Sequence, residues 1–246
     1  MNTYDRLAPH YELMYAGSYH AQQEQDIAWL DRVLQTHHVN SVLDSSCGDG
    51  IHAVPLARLG YRLTGSDLSR GMLRQARKRC AEAGVFFPLH ALDFRRLERQ
   101  FSPASFDAIL ALGHSLVHVL SPQHASQALQ QMGYVLKPQG LLVVDLPDVE
   151  RLKKLPSLSS TLIPHPGGGI TVVVRQRRFE RDRVHLTLYR LEKRGRRART
   201  RVYTVTLRAW SVQDFERQLQ SVGFGVLERQ ENWGQRGYLY TLQKLA

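Results

Sequence analysis

The amino-acid sequence predicts an α/β protein with a doubly wound, mostly parallel seven-stranded sheet and an antiparallel β insertion that serves as a lid. Short apolar strands alternate with helices from residue 41 to 146, which is typical of a parallel sheet covered on both faces. Residues 151–207 are β-rich instead, and a helix with two further strands ends the chain. We therefore expect a core of residues 1–150 and 208–246 and an insertion at 151–207.

Five segments of the first part have the short, apolar character of buried strands. They are residues 41–44, 61–67, 85–93, 106–112 and 140–146. In the insertion, three alternating segments joined by the turns ERDR and KRGRRA predict a three-stranded antiparallel sheet at 169–179, 183–192 and 199–210. Two closing strands at 224–232 and 237–245 are expected to pair antiparallel at the edge of the core sheet.

Segments in which apolar residues recur at helical spacing lie between these strands, and residues typical of helix caps stand at some of their ends. The expected helices are residues 22–37, 50–59, 69–83, 122–136 and 211–223. Ser69 is a suitable N-cap, and Gly84 stands where a helix C-cap belongs. Pro122 directly after Ser121 is a favoured arrangement at a helix start.

Composition excludes several classes of protein. The chain has 246 residues and 43% hydrophobic residues, which is ordinary for a globular protein and argues against disorder. No segment approaches the roughly 18 uninterrupted apolar residues of a membrane span. The first residues, MNTYDRLAPHYELMY, lack an apolar signal core, so we expect a cytoplasmic protein. The two cysteines, Cys47 and Cys80, are too few for a disulfide framework or a zinc site, and no metal is predicted.

The positive charge of the chain is concentrated in the insertion. The net charge is +11, yet residues 151–201 alone hold 15 Lys and Arg against 3 Asp and Glu, a net of +12, and the rest sums to −1. Six cations lie close to the turn of one expected hairpin: Lys193, Arg194, Arg196, Arg197, Arg199 and Arg201. This cluster is either a nucleic-acid grip or the solvated surface of an arginine-rich ribbon. No aromatic residue lies inside it to stack on a base, which favours the solvated surface.

Four acidic residues fall at or just past the ends of predicted strands. They are Asp44, Asp67, Asp93 and Asp145. Ligands of open parallel sheets bind at the carboxyl ends of the strands, so all four are expected to face one crevice.

The glycine loop in VLDSSCGDG combines a phosphate-type motif with acids. Residues 48–53 match G-x-G-x-x-A, a weak dinucleotide fingerprint. A pyrophosphate there would be repelled by Asp44 and Asp49, because like charges about 4 Å apart cost about 4 kcal/mol at an effective dielectric of about 20. A helix N-terminus offers only about half a positive charge in return. We therefore expect a ligand that has an ammonium group and no phosphate, held by Asp44, with Ser46 and Gly48 allowing close backbone approach.

This ligand description fits the methionine half of S-adenosylmethionine, which is the predicted cofactor. Asp67 is then placed to accept hydrogen bonds from both ribose hydroxyls, and Asp93 to accept one from the adenine amino group. Phe94 or Leu68 would cover the adenine ring, and Leu112, at the end of the fourth strand, is also expected to contact the cofactor.

The motifs VLDSSCGDG, GSDLS, LDF and FDAILALGHSLVHVL…GLLVVDLP resemble those of class I S-adenosylmethionine-dependent methyltransferases in order and spacing. The resemblance covers roughly residues 4–146, and SVQDFERQLQSVGF resembles the late helix and strand of the same fold. It is greatest to glycine and sarcosine N-methyltransferases and similar small-molecule enzymes with an antiparallel lid, and it implies a Rossmann-like methyltransferase fold. Those enzymes have Asn at the position of His114 and Arg near that of Pro147, so the resemblance does not extend to the residues that hold glycine.

The residues after the fourth strand are candidates for proton transfer. A methyl transfer needs a base only where the acceptor arrives protonated, and His114 is placed to be that base. The alternative is that His114 forms a polar wall of the pocket. His118 is a candidate substrate contact, or a histidine at a helix start that bonds backbone.

Further candidates lie in the N-terminal segment and in the insertion. Segments similar to YDRLAPHYELMYAG fold over the cofactor in the resembling family, so Tyr15 is expected near the cofactor and Tyr4 and Tyr11 near the substrate; packing of an aromatic helix face is the alternative. Asp145 is expected to point into the substrate pocket. Arg175 and Arg177 share one face of a strand and would hold a carboxylate or phosphate of the substrate.

These observations predict methyl transfer from S-adenosylmethionine to a nitrogen or oxygen of a small metabolite. Two alternatives stay open: an RNA methyltransferase that uses the basic hairpin, and a non-catalytic cofactor-binding partner protein. No membrane partner is expected, and the oligomeric state and the acceptor are left open.

Overall fold

The computed structural model describes residues 3–14, 19–165, 168–233 and 237–245, with residues 13, 14, 19–22, 232 and 233 described by backbone only. Seven strands form the core sheet, in the order β10–β11–β5–β4–β1–β2–β3. They are β1 Ser41–Asp44, β2 Arg62–Asp67, β3 Leu89–Ala91, β4 Phe106–Ala111, β5 Leu136–Pro147, β10 Phe224–Trp233 and β11 Gly237–Lys244. The first five are parallel, and β11 and β10 join antiparallel, so the predicted fold class is confirmed.

Helices cover both faces of the core sheet. They are α1 Thr3–Leu7, α2 Tyr11–Met14, α3 Tyr19–Thr36, α4 Ala53–Arg58, α5 Arg70–Ala83, α6 Pro122–Val135, α7 Val149–Lys154 and α8 Val212–Gln220. The side chains of β4 alternate between two hydrophobic clusters, with Ile109 packing beside α6 and α8 and Leu110 packing beside α3 and α4. This three-layer packing fixes the carboxyl ends of the strands, where the predicted site residues lie.

Three predicted helix ends are confirmed. Ser69 Oγ accepts a hydrogen bond from the Met72 backbone N–H, and Gly84 ends α5 in the left-handed conformation, with φ +67°. Ser121 Oγ likewise accepts from His124 N–H ahead of Pro122.

The third strand is much shorter than the predicted 85–93. Only Leu89–Ala91 pairs with β2, as the edge strand of the sheet. Pro88, directly ahead of it, has no N–H to donate, and Phe86 is 93% exposed. The prediction of a strand from residue 85 was therefore wrong, because the apolar run VFF precedes the strand.

A second sheet lies in the insertion, and it has four strands rather than the predicted three. They are β6 Leu158–Pro164, β7 Ile170–Glu180, β8 Arg183–Arg194 and β9 Arg197–Arg208, all antiparallel to their neighbours. The missed strand, β6, is a largely exposed edge strand of sequence LSSTLIP. Its hydroxyl-rich, weakly alternating pattern does not indicate a strand.

The N-terminal segment joins the two sheets. Leu7 of α1 packs in a buried cluster with Val173, Leu188 and Tyr203 of the second sheet. On the core side, Asp5 accepts hydrogen bonds from Ser69 Oγ at 2.7 Å and from a backbone N–H of α5. The face of the second sheet that carries Val173, Leu188 and Tyr203 is called the inner face below. Among the described residues, no helix is long and apolar enough to cross a membrane.

Candidate active site

Acidic side chains gather where β1, β2 and β5 end. Asp44 ends β1, Asp67 ends β2 and Asp145 lies near the end of β5, with His114 just beyond β4. Asp44 and Asp145 are only 2% and 5% exposed. Because β5, β4, β1 and β2 are consecutive neighbours in the sheet, these side chains share one edge of it.

The buried carboxylate of Asp44 is poorly neutralised. Burial raises the pKa of Asp44 to about 7; a backbone hydrogen bond from Ser46 and the charge of His52 oppose this rise, and the nearby Asp67 and Asp49 add to it. The Ser46 N–H lies 3.3 Å from Asp44 Oδ1, so this hydrogen bond is long. A cationic ligand group would stabilise the ionised form of Asp44.

The glycine loop is tied to Asp67. Gly48 and Gly50 both have positive φ, +54° and +82°. The Gly48 N–H donates to Asp67 Oδ2 at 2.9 Å, and the Ser69 N–H donates to Oδ1 at 2.7 Å. Burial raises the pKa of Asp67 above its usual value even so. Asp67 thus positions the loop as well as facing the crevice.

Asp49, the acid between the two glycines of the loop, forms an ion pair within the protein. Its carboxylate is 3% exposed and pairs with Arg79 Nη2 at 2.8 Å, and the same guanidinium contacts Glu12 of α2 at 2.7 Å. This ion pair connects the loop, α5 and the N-terminal segment.

His52 was not among the predicted site residues, but the structure places it beside the acids. Its Nε2 lies 4.0 Å from Asp26 Oδ2 of α3. Burial alone would lower the pKa of His52, yet Asp26 and Asp44 together raise it above its usual value. The contact with Asp26 depends on how α3 packs, so it cannot be predicted from the sequence around His52.

The other predicted cofactor contacts differ in how exposed they are. Ser46 Oγ donates to the Leu112 carbonyl oxygen at 3.3 Å, and Leu112 itself is buried. Leu68 is exposed, and Phe94 is partly buried against the core. Tyr15 lies outside the described residues.

Asp93 is engaged by its neighbour Arg95. The Arg95 Nε lies 3.0 Å from each Asp93 oxygen, and Nη2 lies 2.5 Å from Oδ2. Burial would raise the pKa of Asp93, but the hydrogen bonds and charge of Arg95 hold it below its usual value. An adenine amino group would therefore share Asp93 with Arg95.

His114 is held in a strained conformation by Asp145. Its φ is +57°, in the left-handed region that non-glycine residues rarely occupy. The His114 N–H donates to Asp145 Oδ1 at 2.7 Å, and His114 Nδ1 lies 3.6 Å from Oδ2. A Cβ at Gly237 would lie 3.3 Å from His114 Cε1, so this glycine leaves room for the ring. The Nδ1 edge is buried, whereas the side chain as a whole is 39% exposed.

His118 pairs with Tyr4. The Tyr4 hydroxyl lies 3.0 Å from His118 Nε2, and the rings meet edge to face at 5.3 Å. Burial lowers the pKa of His118 to about 4, so it is neutral at physiological pH. The interpretation of His118 as a backbone-bonding histidine missed this contact. Tyr11 lies beside Tyr4, with ring centroids 6.3 Å apart.

Arg175 and Arg177 lie on the inner face of the second sheet. Strand register places Arg175 opposite Leu188 and Arg177 opposite Leu186, which are inner-face residues. The Arg175 Nη1 donates to Thr161 Oγ1 at 3.0 Å, and the Arg177 Nη2 donates to the Pro156 carbonyl oxygen at 2.8 Å. Both arginines therefore point to the same side of the sheet as the N-terminal segment.

Comparison with known proteins identifies a recognised domain in the first part of the chain. Residues 42–140 match the family described as "Methyltransferase domain". The chain is 30% identical over 134 residues to the glycine/sarcosine N-methyltransferase of Parasynechococcus marenigrum (strain WH8102), covering 54% of this chain and 47% of that protein. It is 28% identical over 142 residues to the glycine N-methyltransferase of Rattus norvegicus, covering 54% and 48%. The chain thus spans about half the length of the curated relatives it matches.

Solved structures match the whole fold at low identity. An S-adenosylmethionine-dependent methyltransferase from Clostridium acetobutylicum ATCC 824 superposes with a TM-score of 0.80 at 16% identity, with all of both chains covered. The sugar N-methyltransferase KedS8 from Streptoalloteichus sp ATCC 53650 superposes with a TM-score of 0.79 at 21% identity, covering 96% of this chain and 93% of that one. These likenesses show that both sheets belong to one known architecture.

Proposed function

We propose that the chain transfers the methyl group of S-adenosylmethionine to a nitrogen or oxygen of a small metabolite, because residues 42–140 match the methyltransferase domain family and the chain has the fold of an S-adenosylmethionine-dependent methyltransferase. The family predicted from the sequence motifs is thereby confirmed. The observation that carries the proposal is the buried, poorly neutralised carboxylate of Asp44 beside the glycine loop. A cytoplasmic location is part of the same proposal, because Cys47 and Cys80 are buried free thiols.

The residues at the strand ends fit the cofactor. Asp44 would hold the ammonium group, with Ser46 and Gly48 beside it, and Asp67 would accept from the ribose hydroxyls. Asp93, Phe94, Leu68 and Leu112 would surround the adenine, and Tyr15 remains a predicted contact. When bound, S-adenosylmethionine supplies a methyl group on a positively charged sulfur, and the sulfur leaves as a neutral thioether.

The chain contributes orientation and a place for the proton. His114 Nε2 is the ring nitrogen that takes the proton lost by the acceptor, because the Nδ1 edge is buried toward Asp145. Asp145 acts through His114: it holds the backbone N–H and fixes the ring, so we assign it a positioning role rather than the direct substrate contact expected from sequence. Neutral His118 accepts the hydrogen bond of the Tyr4 hydroxyl and so fixes the position of that hydroxyl.

The acceptor would lie between these residues and the second sheet. Tyr4 and Tyr11 pack beside the buried inner-face cluster of Leu7, Leu188 and Tyr203. Arg175 and Arg177 are on that same face, where guanidinium groups would hold an anionic part of the acceptor.

An assay for S-adenosylhomocysteine release tests this function. The purified chain is incubated with S-adenosylmethionine and a panel of primary amines, amino acids, amino sugars and phenols, each class including phosphate esters. We expect turnover with at least one acceptor, and about 100-fold less turnover or lower still in His114→Gln. Glu82→Gln, which removes an exposed carboxylate on α5, is the control and should behave as wild type. Tight cofactor binding without any turnover would instead favour a non-catalytic cofactor-binding protein.

A further inference from the structure

The outer half of the second sheet carries its arginines on one side. In the register of β8 and β9, Arg190 faces Arg201, Glu192 faces Arg199 and Arg194 faces Arg197. Side chains directly opposite each other share a face, and they alternate along a strand. In this outer half, five arginines therefore lie on the inner face: Arg190, Arg194, Arg197, Arg199 and Arg201. We call this set the arginine face.

The opposite side of the same strands has a different composition. Its residues are Leu191, Lys193, Ala198, Thr200 and Val202. An arginine-rich ribbon that was merely solvated would not need to sort its guanidinium groups onto one face. The sorting places five positive charges on the side that also contacts the N-terminal segment.

In the same stretch of β8 and β9, one of the described inner-face residues is a carboxylate. Glu192 contacts Arg190 Nη2 at 2.8 Å and Arg194 Nε at 2.9 Å. Burial would raise the pKa of Glu192, but Arg190, Arg194 and His165 hold it below its usual value. One carboxylate against five guanidinium groups leaves the arginine face with four excess positive charges.

Arg190 is the most buried member of the arginine face. Its side chain is 7% exposed, and its Nε atom has no hydrogen-bond partner among the described residues. A desolvated guanidinium group favours a nearby anion with oxygen acceptors.

The N-terminal segment forms one border of this positive surface. Arg201 Nη1 lies 3.4 Å from His10 Nε2. Burial lowers the pKa of His10, and the positive charges of Arg190 and Arg201 lower it further. Tyr4, in the same segment, contacts His118, so the N-terminal segment connects the arginine face with the proposed acceptor space.

We propose that the arginine face binds a phosphate ester carried by the methyl acceptor. The proposal rests on the methyltransferase function and names the acceptor class. Planar guanidinium groups bind phosphate oxygens in pairs, and several of them suit a group with two or more charges. Tyr203, two residues along β9 from Arg201, is buried under Leu7, so the acceptor would lie along the N-terminal segment, which contacts His118 through Tyr4 and Arg201 through His10.

A small phosphate ester fits this surface better than RNA. Binding of single-stranded nucleic acid combines positive charge with aromatic rings that stack on bases. The arginine face has no aromatic member, Tyr203 beside it is buried, and Tyr189 points to the opposite side.

Calorimetry with inorganic pyrophosphate as the probe tests the proposal without turnover. Arg199→Gln/Arg201→Gln removes two charges from the arginine face, and Lys193→Gln/Arg196→Gln removes two charges from the same hairpin outside it. We expect pyrophosphate to bind the wild-type chain, at least tenfold weaker binding in the first variant and less than twofold change in the second. Equal weakening in both variants, or no binding to the wild-type chain, would overturn the proposal.

A second arm uses a single-stranded RNA of 12 nucleotides. Tighter binding of RNA than of pyrophosphate, lost equally in both double variants, would contradict a small-molecule site and indicate a general polyanion surface. S-adenosylhomocysteine binding is measured on the same samples. Intact cofactor binding and turnover together with absent pyrophosphate binding would reject this inference alone, whereas absent cofactor binding would reject the proposed function.

Discussion

The core sheet and the second sheet differ in the sign of the charge they present. The core sheet buries Asp44 and Asp145 and holds Asp67 at its carboxyl edge, whereas the second sheet carries the five residues of the arginine face, and also Arg175 and Arg177, on its inner face. Outside residues 151–201 the chain has a net charge of −1, and inside them +12. This separation matches the two ligands that we propose, a cationic cofactor on the core sheet and an anionic acceptor beside the second sheet.

The largest expected effect is that of a His114 variant, which should lower the rate of methyl transfer without weakening cofactor binding. His114→Gln should lower kcat by about 100-fold or more, because the acceptor loses its proton acceptor, while cofactor affinity stays within about twofold. The measurement is steady-state kinetics with the acceptor found in the panel, alongside calorimetry with S-adenosylhomocysteine. A variant with unchanged kcat would show that His114 is only a wall of the pocket.

A variant on the inner face of the second sheet should instead weaken binding of the acceptor. Arg175→Gln is expected to raise KM for the acceptor by about tenfold at nearly constant kcat, since a charge-assisted contact is lost equally in the ground and transition states. Arg178→Gln, on the opposite face of the same strand, is the control. If both variants raise KM equally, the inner face has no special role.

Cofactor affinity should depend on pH through Asp44. The pKa of this buried carboxyl is about 7, so a cationic ligand must displace its proton in acid. The apparent Kd of S-adenosylhomocysteine is expected to rise about tenfold for each pH unit below about 7. Asp44→Asn should bind weakly and without this slope. An equally steep slope in the variant would assign the proton to another group, such as His52.

The same carboxyl should destabilise the cofactor-free protein. Its folded pKa of about 7 lies above the ordinary value of 3.8, so the folded state keeps a proton that the unfolded state releases. Stability is therefore greatest below pH 3.8 with respect to this group, falls as pH rises toward 7, and is lower by up to about 4 kcal/mol above it. At pH 8, Asp44→Asn should melt at a higher temperature than wild type without cofactor. A lower Tm would contradict the assignment of Asp44 as poorly neutralised.

The smallest expected effect concerns the junction between the N-terminal segment and the core. Ser69→Ala removes the N-cap of α5 and a hydrogen bond to Asp5, which should lower the free energy of unfolding by about 1 kcal/mol. Chemical denaturation measures this loss, with Ser121→Ala, a cap far from Asp5, as the control. A loss more than twice that of the control would indicate that the segment is held chiefly through Ser69.

Local features of the site were predictable from sequence, and contacts across the sheet were not. The helix from Ser69 to Gly84 and the acids at strand ends follow from caps and strand length, which are properties of neighbouring residues. The Asp145–His114 contact requires β5 to lie beside β4, and the His52–Asp26 contact requires the packing of α3. Neither arrangement is encoded in a short motif.

The second sheet shows the same limit. The alternation of side chains along a strand predicts that Arg175 and Arg177 share a face. It does not predict that this face is the inner one, because that depends on the packing of Leu7 against the second sheet. β6 was missed because its Ser and Thr residues suit an exposed edge, where burial imposes no pattern.

The most direct test of the central claim is a paired titration by calorimetry at pH 8, with S-adenosylhomocysteine and NAD as ligands. We predict micromolar or tighter binding of S-adenosylhomocysteine, at least 30-fold weaker binding in Asp44→Asn, and no detectable binding of NAD. Firm binding of NAD together with no uptake of S-adenosylhomocysteine would contradict the claim that these acids select a cationic cofactor.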